Sequence, residues 1–135
     1  MFYRLGNYEK SLENHLLTLS IRKAINEKQQ YIGDSYNHVG TAYYKLGKFA
    51  QALEHFQKAL EIRKAVFGEQ HADVATSYNN IGSTYREQGN YVRALENYQK
   101  TLEIRKVLLG EQHASALSVQ KKIEDIKAKM AGQGQ

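Results

Sequence analysis

The chain has 135 residues and a formal net charge of +5, from 19 lysines and arginines against 14 aspartates and glutamates. It has no cysteine, which excludes disulfide scaffolds, thiol catalysis and zinc sites built from thiolates. Its hydrophobic content of 41% is too high for a disordered chain, no apolar run approaches the roughly 18 residues of a membrane span, and the first residues lack a secretion signal. We therefore expect a cytoplasmic protein without a membrane segment.

Residues recur along the chain at a spacing of about 42 positions. Residues 44–64 and 86–106 are identical at 11 of 21 positions. Self-similarity at this period is typical of helical repeat proteins. Most of the glycines follow the same spacing, in the sets Gly6, Gly47 and Gly89, Gly40 and Gly82, and Gly68 and Gly110.

Residues 1–25 are predicted to form a truncated first repeat. Residues 1–5 align with the last turn of a first helix, Gly6 with the break, and residues 8–25 with most of a second helix. Without a preceding helix, several leucines would expose an apolar surface suited to self-association. The alternative is that the short opening segment frays and long side chains cover the gap. The leucines concerned are Leu12, Leu16, Leu17 and Leu19.

Residues 26–67 and 68–109 are predicted to form the second and third repeats, each a pair of helices. Apolar residues three and four apart predict a helix up to Leu46, and a second helix begins near Phe49. Gly47 between them suits the left-handed conformation of a helix end. The linker between residues 24 and 33 lacks the Gly-Glu-Gln-His sequence that ends the later pairs, so its turn should differ.

Residues 110–130 are predicted to form a capping helix, followed by a flexible tail over residues 131–135. The helix is strongly polar on all but one side, as the terminal helix of a repeat array requires. Asp73 is predicted to cap the first helix of the third repeat, and Ser115 to cap this last helix.

Small and aromatic residues alternate inside the predicted helix pairs. Gly40 and Gly82 lie where two helices approach closely, and aromatic residues fill the neighbouring space. These aromatic side chains are interpreted as core rather than as a ligand cage. They are Tyr36, Tyr43, Phe49 and Phe56, matched by Tyr78, Tyr85, Tyr91 and Tyr98.

This order of aromatic, glycine, tyrosine and alanine residues resembles the tetratricopeptide repeat pattern. The 42-residue period and the Ser-Tyr-Asn-Asn-Ile-Gly sequence at 77–82 are similar to the longer variant of kinesin light chains. The resemblance implies an all-α, right-handed superhelical array of antiparallel helix pairs, with about three repeats and a C-terminal capping helix. It also implies a non-enzymatic protein-interaction module whose first helices line a concave groove.

Polar residues of the predicted first helices are the candidate peptide-binding groove. Asparagines can hydrogen-bond the backbone of an extended peptide, and the basic residues outnumber the acidic ones along this strip, which favours an acidic peptide. His38 stands where the next repeat has Asn80, which would weaken the grip there or make binding sensitive to pH. The candidates are Arg4, Asn37, His38, Thr41, Tyr44, Lys45, Asn79, Asn80, Ser83, Arg86, Lys121 and Lys122.

Other functions receive less support from the sequence. No phosphate-binding loop, nucleophile elbow or metalloprotease motif is present, so we expect neither an enzyme nor a cofactor. His71 and His113 recur at one repeat position, which a turn explains better than a metal does. A self-assembling spacer, forming homo-oligomers through the incomplete first repeat, is the alternative function. Nucleic-acid binding is a weaker one, because acidic residues interleave the basic ones.

Overall fold

The computed structural model describes residues 2–24 and 28–133, and the side chains of residues 6–24 and 28–132. The described residues form helices joined by short turns, with no strand among them. This confirms the all-α repeat fold. The helices are α1 (Phe2–Ala24), α2 (Gln29–Lys45), α3 (Phe49–Phe67), α4 (Ala72–Glu87), α5 (Tyr91–Leu109) and α6 (Ala114–Gln133).

The chain divides into two compact units of three helices each. Unit 1 spans Met1–Val66 and contains α1, α2 and almost all of α3, whereas unit 2 spans Phe67–Gln135 and contains α4, α5 and α6. In the repeat pattern α2, α4 and α6 are first helices, and α1, α3 and α5 are second helices. The repeat boundaries given above remain predictions.

Four of the helix-ending turns carry a glycine in the left-handed region. Gly47, Gly68, Gly89 and Gly110 have φ values of 77°, 82°, 78° and 94°. Each lies directly after a helix or its last turn, where a side chain at Cβ would strain the backbone. The predicted role of these glycines as helix breaks is confirmed.

The break predicted at Gly6 does not occur. Helix α1 runs without interruption from Phe2 to Ala24, and Gly6 is not among the glycines with positive φ. A glycine inside a helix costs only about 1 kcal/mol relative to alanine.

The other boundaries differ from expectation in smaller ways. Helix α2 begins at Gln29, inside the predicted linker, and its N-cap residue Lys28 makes no side-chain capping bond. Residues 25–27 of that linker lie outside the described residues. Helix α6 continues to Gln133, into the predicted tail, and residues 134–135 lie outside the described residues.

The core of unit 1 contains most of the leucines that were expected to be exposed. Leu12 and Leu19 are buried in one cluster with Ile32, Tyr36 and Val39 of α2, and Leu16 packs against that cluster. The expectation that these three leucines lack a packing partner is wrong, because α2 covers their side of α1. Leu17 points elsewhere and is 61% exposed.

The core of unit 2 depends on close contact between α4 and α5. Tyr98 is fully buried, and a Cβ added at Gly82 would lie 2.9 Å from its ring. The hydroxyl of Thr101, also buried, lies 3.0 Å from the backbone oxygen of Asn97 in its own helix and 3.3 Å from that of Ala75 on α4. The predicted close approach at Gly82 is confirmed. Helix α6 buries Ala116, Val119, Ile123 and Ile126.

Candidate functional site

Four candidate groove residues of unit 2 lie in one polar group: Asn79, Ser83 and Arg86 on α4, and Lys122 on α6. The Lys122 ammonium donates a hydrogen bond of 3.1 Å to Oδ1 of Asn79, which connects α6 to α4. The same ammonium lies 5.6 Å from the centre of the Tyr98 ring. On α4, the hydroxyl of Ser83 is 2.7 Å from that of Tyr98.

The helical repeat explains why these residues share a side of α4. Asn79, Ser83 and Arg86 are spaced by four and three positions, which places them along one helix face. We call this polar group, with Lys122 opposite and the Tyr98 hydroxyl beneath, the α4–α6 face.

Positive charge dominates around Lys122. Burial, with the nearby charges of Arg86 and Arg105, lowers the pKa of Lys122 below its ordinary value of 10.5. The acceptor that Lys122 bonds within the described residues is the neutral amide of Asn79 rather than a carboxylate. An anion placed beside Lys122 would therefore offset both the burial and the repulsion.

Arg86 is partly balanced by an acidic neighbour. Its guanidinium lies 3.7 Å from the carboxylate of Glu87, and both side chains are substantially exposed. An exposed pair of this kind contributes little to stability and can be exchanged for a ligand carboxylate at little cost. Asn80 is half-buried, and its backbone oxygen accepts a hydrogen bond of 2.8 Å from the hydroxyl of Thr84. Lys121 is exposed.

Five candidate residues of unit 1 lie along α2, namely Asn37, His38, Thr41, Tyr44 and Lys45. Thr41 donates its hydroxyl to the backbone oxygen of Asn37 at 3.0 Å, within the same helix. Tyr44 packs edge-on against Phe49, with ring centres 5.4 Å apart. Lys45 lies 5.4 Å from the ring centre of Tyr8 on α1.

Two further candidates in unit 1 have different outcomes. His38 is exposed and stacks on His15 of α1. Arg4 belongs to α1 by its backbone, but its side chain lies outside the described residues.

The sequence interpretation missed the polar role of Tyr98, which it assigned to the core alone. The clue is a paired difference between the repeats: Phe56 stands at the equivalent position in unit 1, and Thr41 stands where unit 2 has Ser83. Only the tyrosine offers a hydroxyl to the α4 side chain. Where phenylalanine stands, the threonine bonds its own helix instead.

The predicted helix caps are corrected by the structure. His71, not Asp73, is the N-cap of α4: its Nδ1 accepts a hydrogen bond of 3.0 Å from the backbone N–H of Asp73. His113 does the same for α6, accepting from the N–H of Ser115 at 3.1 Å. Both histidines are thereby explained by their turns, as expected. Within residues 2–24 and 28–133, no group of three or more histidines, aspartates or glutamates is arranged to hold a metal ion.

Comparisons with known proteins identify the repeat. The tetratricopeptide repeat profile matches residues 1–65, 31–106 and 73–130. A comparison with curated proteins gives no significant match. None of the helices in the described part of the chain is long and apolar enough to cross a membrane.

Solved structures of the same fold include proteins from P. vanneervenii and Podosopora anserina. The chain is similar to BtubC (BKLC) from P. vanneervenii, at 22% identity and a TM-score of 0.85, over 95% of this chain and 51% of that one. It is also similar to a putative kinesin light chain with nearly identical TPR-like repeats from Podosopora anserina, at 19% identity and a TM-score of 0.80, over 90% of this chain and 58% of that one. The chain thus spans little more than half the length of these structures.

Proposed function

This chain belongs to the tetratricopeptide repeat family, a non-enzymatic interaction fold, and we propose that it binds an extended acidic peptide along the first helices α4 and α6 of unit 2. The observation that carries the proposal is the half-buried Lys122, bonded to Asn79 and close to the charges of Arg86 and Arg105. A carboxylate is the protein group that best complements such a cluster.

The α4–α6 face offers more than charge. Asn79 and Asn80 carry side-chain amides that can both donate to and accept from a peptide backbone, and Ser83 adds a hydroxyl. Backbone bonds of this kind suit an extended peptide, because its own N–H and C=O groups are not paired within a helix. In this proposal the amides fix the peptide's direction, and Lys122 with Arg86 selects for acidic side chains.

The test replaces Lys122 with methionine, which keeps most of the side-chain length and removes the charge. A hydrogen bond to a charged group contributes about 1.5–3 kcal/mol, so Lys122→Met should weaken binding of a glutamate-rich peptide about tenfold or more. Lys127→Met is the matched control, because Lys127 is exposed and lies on another side of α6. Binding is measured by fluorescence anisotropy, and circular dichroism checks that each variant remains folded.

Two ligand controls decide between classes of partner. A lysine-rich peptide of equal length should bind far more weakly than the glutamate-rich one. A single-stranded RNA should also bind weakly at physiological salt, because acidic side chains interleave the basic ones. Preference for the RNA, or equal affinity of the two variants for the acidic peptide, would contradict the proposal.

A second candidate function is self-association through α1. Leu17 and Ile21, four positions apart on one side of α1, are 61% and 50% exposed. The equivalent of Leu17 is a lysine in both later repeats, Lys58 and Lys100. Light scattering after size exclusion at several concentrations should show an oligomer that Leu17→Lys disperses; a strict monomer at all concentrations would remove this candidate.

A further inference from the structure

Two histidines stack on each other at the contact between α1 and α2. The ring centres of His15 and His38 are 5.0 Å apart, with an angle of 15° between the ring planes. The contact is particular to the first repeats, because the equivalent pair is Phe56 and Asn80 one repeat later and Tyr98 and Lys122 two repeats later, and none of these residues gains a proton in mild acid.

The surroundings of the stack disfavour added positive charge. Stacking on His15 removes part of the exposed His38 ring from water, and this partial burial, followed by the charges of His15, Arg63 and Arg22, lowers the pKa of His38. The carboxylate of Asp34 acts in the opposite direction. These groups come from all three helices of unit 1: Arg22 from α1, Asp34 from α2 and Arg63 from α3.

Asp34 is already engaged by another cation. Its Oδ1 accepts a hydrogen bond of 3.1 Å from the guanidinium of Arg63, whose side chain is almost completely buried. Rotating the Asp34 carboxylate toward the histidines would leave that buried guanidinium without its carboxylate, which is costly. Among the described residues, the carboxylate that acts on His38 is therefore already paired with Arg63.

We propose that the His15–His38 stack is a proton-sensitive contact, so that protonation of both rings in mild acid loosens α1 from α2. The stack can accommodate one proton, carried by one of the two rings, because an imidazolium can lie on the face of a neutral ring. A second proton places two positive charges on rings whose centres are 5.0 Å apart. The proposal is independent of the peptide-binding function.

The lowered pKa of His38 determines how the stability of the fold depends on pH. A histidine whose pKa is lower in the folded than in the unfolded protein binds more protons when unfolded. Its contribution to stability is therefore complete above the ordinary pKa of 6.5 and is lost as the pH falls through the lower folded value. The helix most affected is α1, whose Leu12 and Leu19 pack into the core beneath.

The experiment follows each histidine ring by NMR during an acid titration of the full chain. In the unaltered protein, His38 should titrate below its ordinary range, with a two-step curve that reflects coupling to His15. His15→Phe keeps an aromatic ring in place, as Phe56 does in the next repeat, but removes one charge. In this variant the His38 midpoint should move upward and the second step should disappear.

A stability measurement tests the consequence for the fold. The midpoint of thermal unfolding is compared at about pH 7.5 and about pH 5, the range in which histidine titrates. On acidification, the midpoint of thermal unfolding should fall further in the unaltered chain than in His15→Phe or His38→Asn. The second variant introduces the residue that unit 2 has at this position, Asn80. His55→Asn is the matched control, since it removes a histidine of unit 1 outside the stack and also introduces the unit 2 residue, Asn97.

Hydrogen exchange locates the change within the molecule. At the lower pH, protection factors corrected for intrinsic exchange should fall in α1 more than in α5 or α6, and the two stack variants should restore them. An unchanged His38 midpoint in His15→Phe would overturn the proposal, as would equal acid loss in the unaltered chain and both stack variants. Uniform loss of protection across both units would overturn the assignment to α1.

Discussion

His71 shows how a single side chain can hold a turn together in two ways. Its Nδ1 caps α4, and its ring stacks on Phe67 at the end of α3, with centres 4.0 Å apart and planes 8° from parallel. An accepting Nδ1 carries no proton, so the capping form is the neutral ring protonated on Nε2. The carboxylate of Asp73, in the first turn, still interacts favourably with the helix N-terminus.

Removing this cap should have a measurable cost. We expect His71→Ala to lower the free energy of unfolding by about 0.5–2 kcal/mol, because one N-terminal backbone N–H loses its acceptor. His71→Asn should lose less, since asparagine is itself a good capping residue. Urea unfolding of both variants tests this, and an alanine variant as stable as the unaltered chain would show that the cap contributes nothing.

The sequence predicted which side chains are polar or charged better than it predicted which residues they contact. The spacing of Asn79, Ser83 and Arg86 predicts that they share one side of α4. The bond from Lys122 to Asn79 joins residues far apart in sequence, and no local pattern specifies it. The same holds for Asp34 and Arg63, because a side-chain pair depends on how two helices pack.

At the level of the helix, glycines with different surroundings should respond oppositely to alanine. A Cβ at Gly82 would lie 2.9 Å from the Tyr98 ring and 3.3 Å from the backbone oxygen of Ala94, whereas a Cβ at Gly6 would meet nothing within 4 Å. The first site must shift to accept a methyl group, and the second need not.

We therefore predict that Gly82→Ala destabilises the protein by about 1–3 kcal/mol through overpacking. Gly6→Ala should instead stabilise it by about 0.5–1 kcal/mol, because alanine favours a continuous helix. Chemical unfolding of the two variants measures both changes. If Gly6→Ala were destabilising, α1 would not be continuous through that residue in solution.

The helices themselves were largely predictable, and the exceptions have physical causes. The glycines that recur in the 42-residue pattern predicted the turns at Gly47, Gly68, Gly89 and Gly110, and each of these glycines has a positive φ. The same residue type failed to predict a turn at Gly6, where α1 continues without a positive φ. The dipeptide Leu-Gly thus lies inside a helix at Gly6 and follows the end of a helix at Gly47.

For the whole molecule, the excess of positive charge matters most for binding. Of the net charge of +5, unit 1 carries +4 (10 basic against 6 acidic residues) and unit 2 carries +1 (9 against 8), so the positive charge near Lys122 is a local cluster with Arg86 and Arg105. Exposed charges are screened within a Debye length of about 10 Å at 0.1 M salt, whereas buried apolar packing is not.

Affinity and stability should therefore respond differently to salt. We expect the dissociation constant for a glutamate-rich peptide to rise steadily as sodium chloride is increased. The free energy of unfolding should change little over the same range. Anisotropy titrations and urea unfolding in matched buffers measure the two, and a salt-independent affinity would mean that charge does not drive binding.

The turns at Gly68 and Gly110 begin with the same Gly-Glu-Gln-His-Ala sequence, hold their glycines in the same backbone region, and lead into helices capped by the same histidine nitrogen. The segment from residue 68 to residue 109 thus starts and stops at equivalent junctions, and its ends can be joined to themselves. The gene could be lengthened by in-frame duplication of those 42 codons, each copy inserting a complete helix pair without a new linker. Such a chain can therefore grow by whole helix pairs, whereas an insertion inside a helix would rotate the residues that follow in that helix away from their packing face.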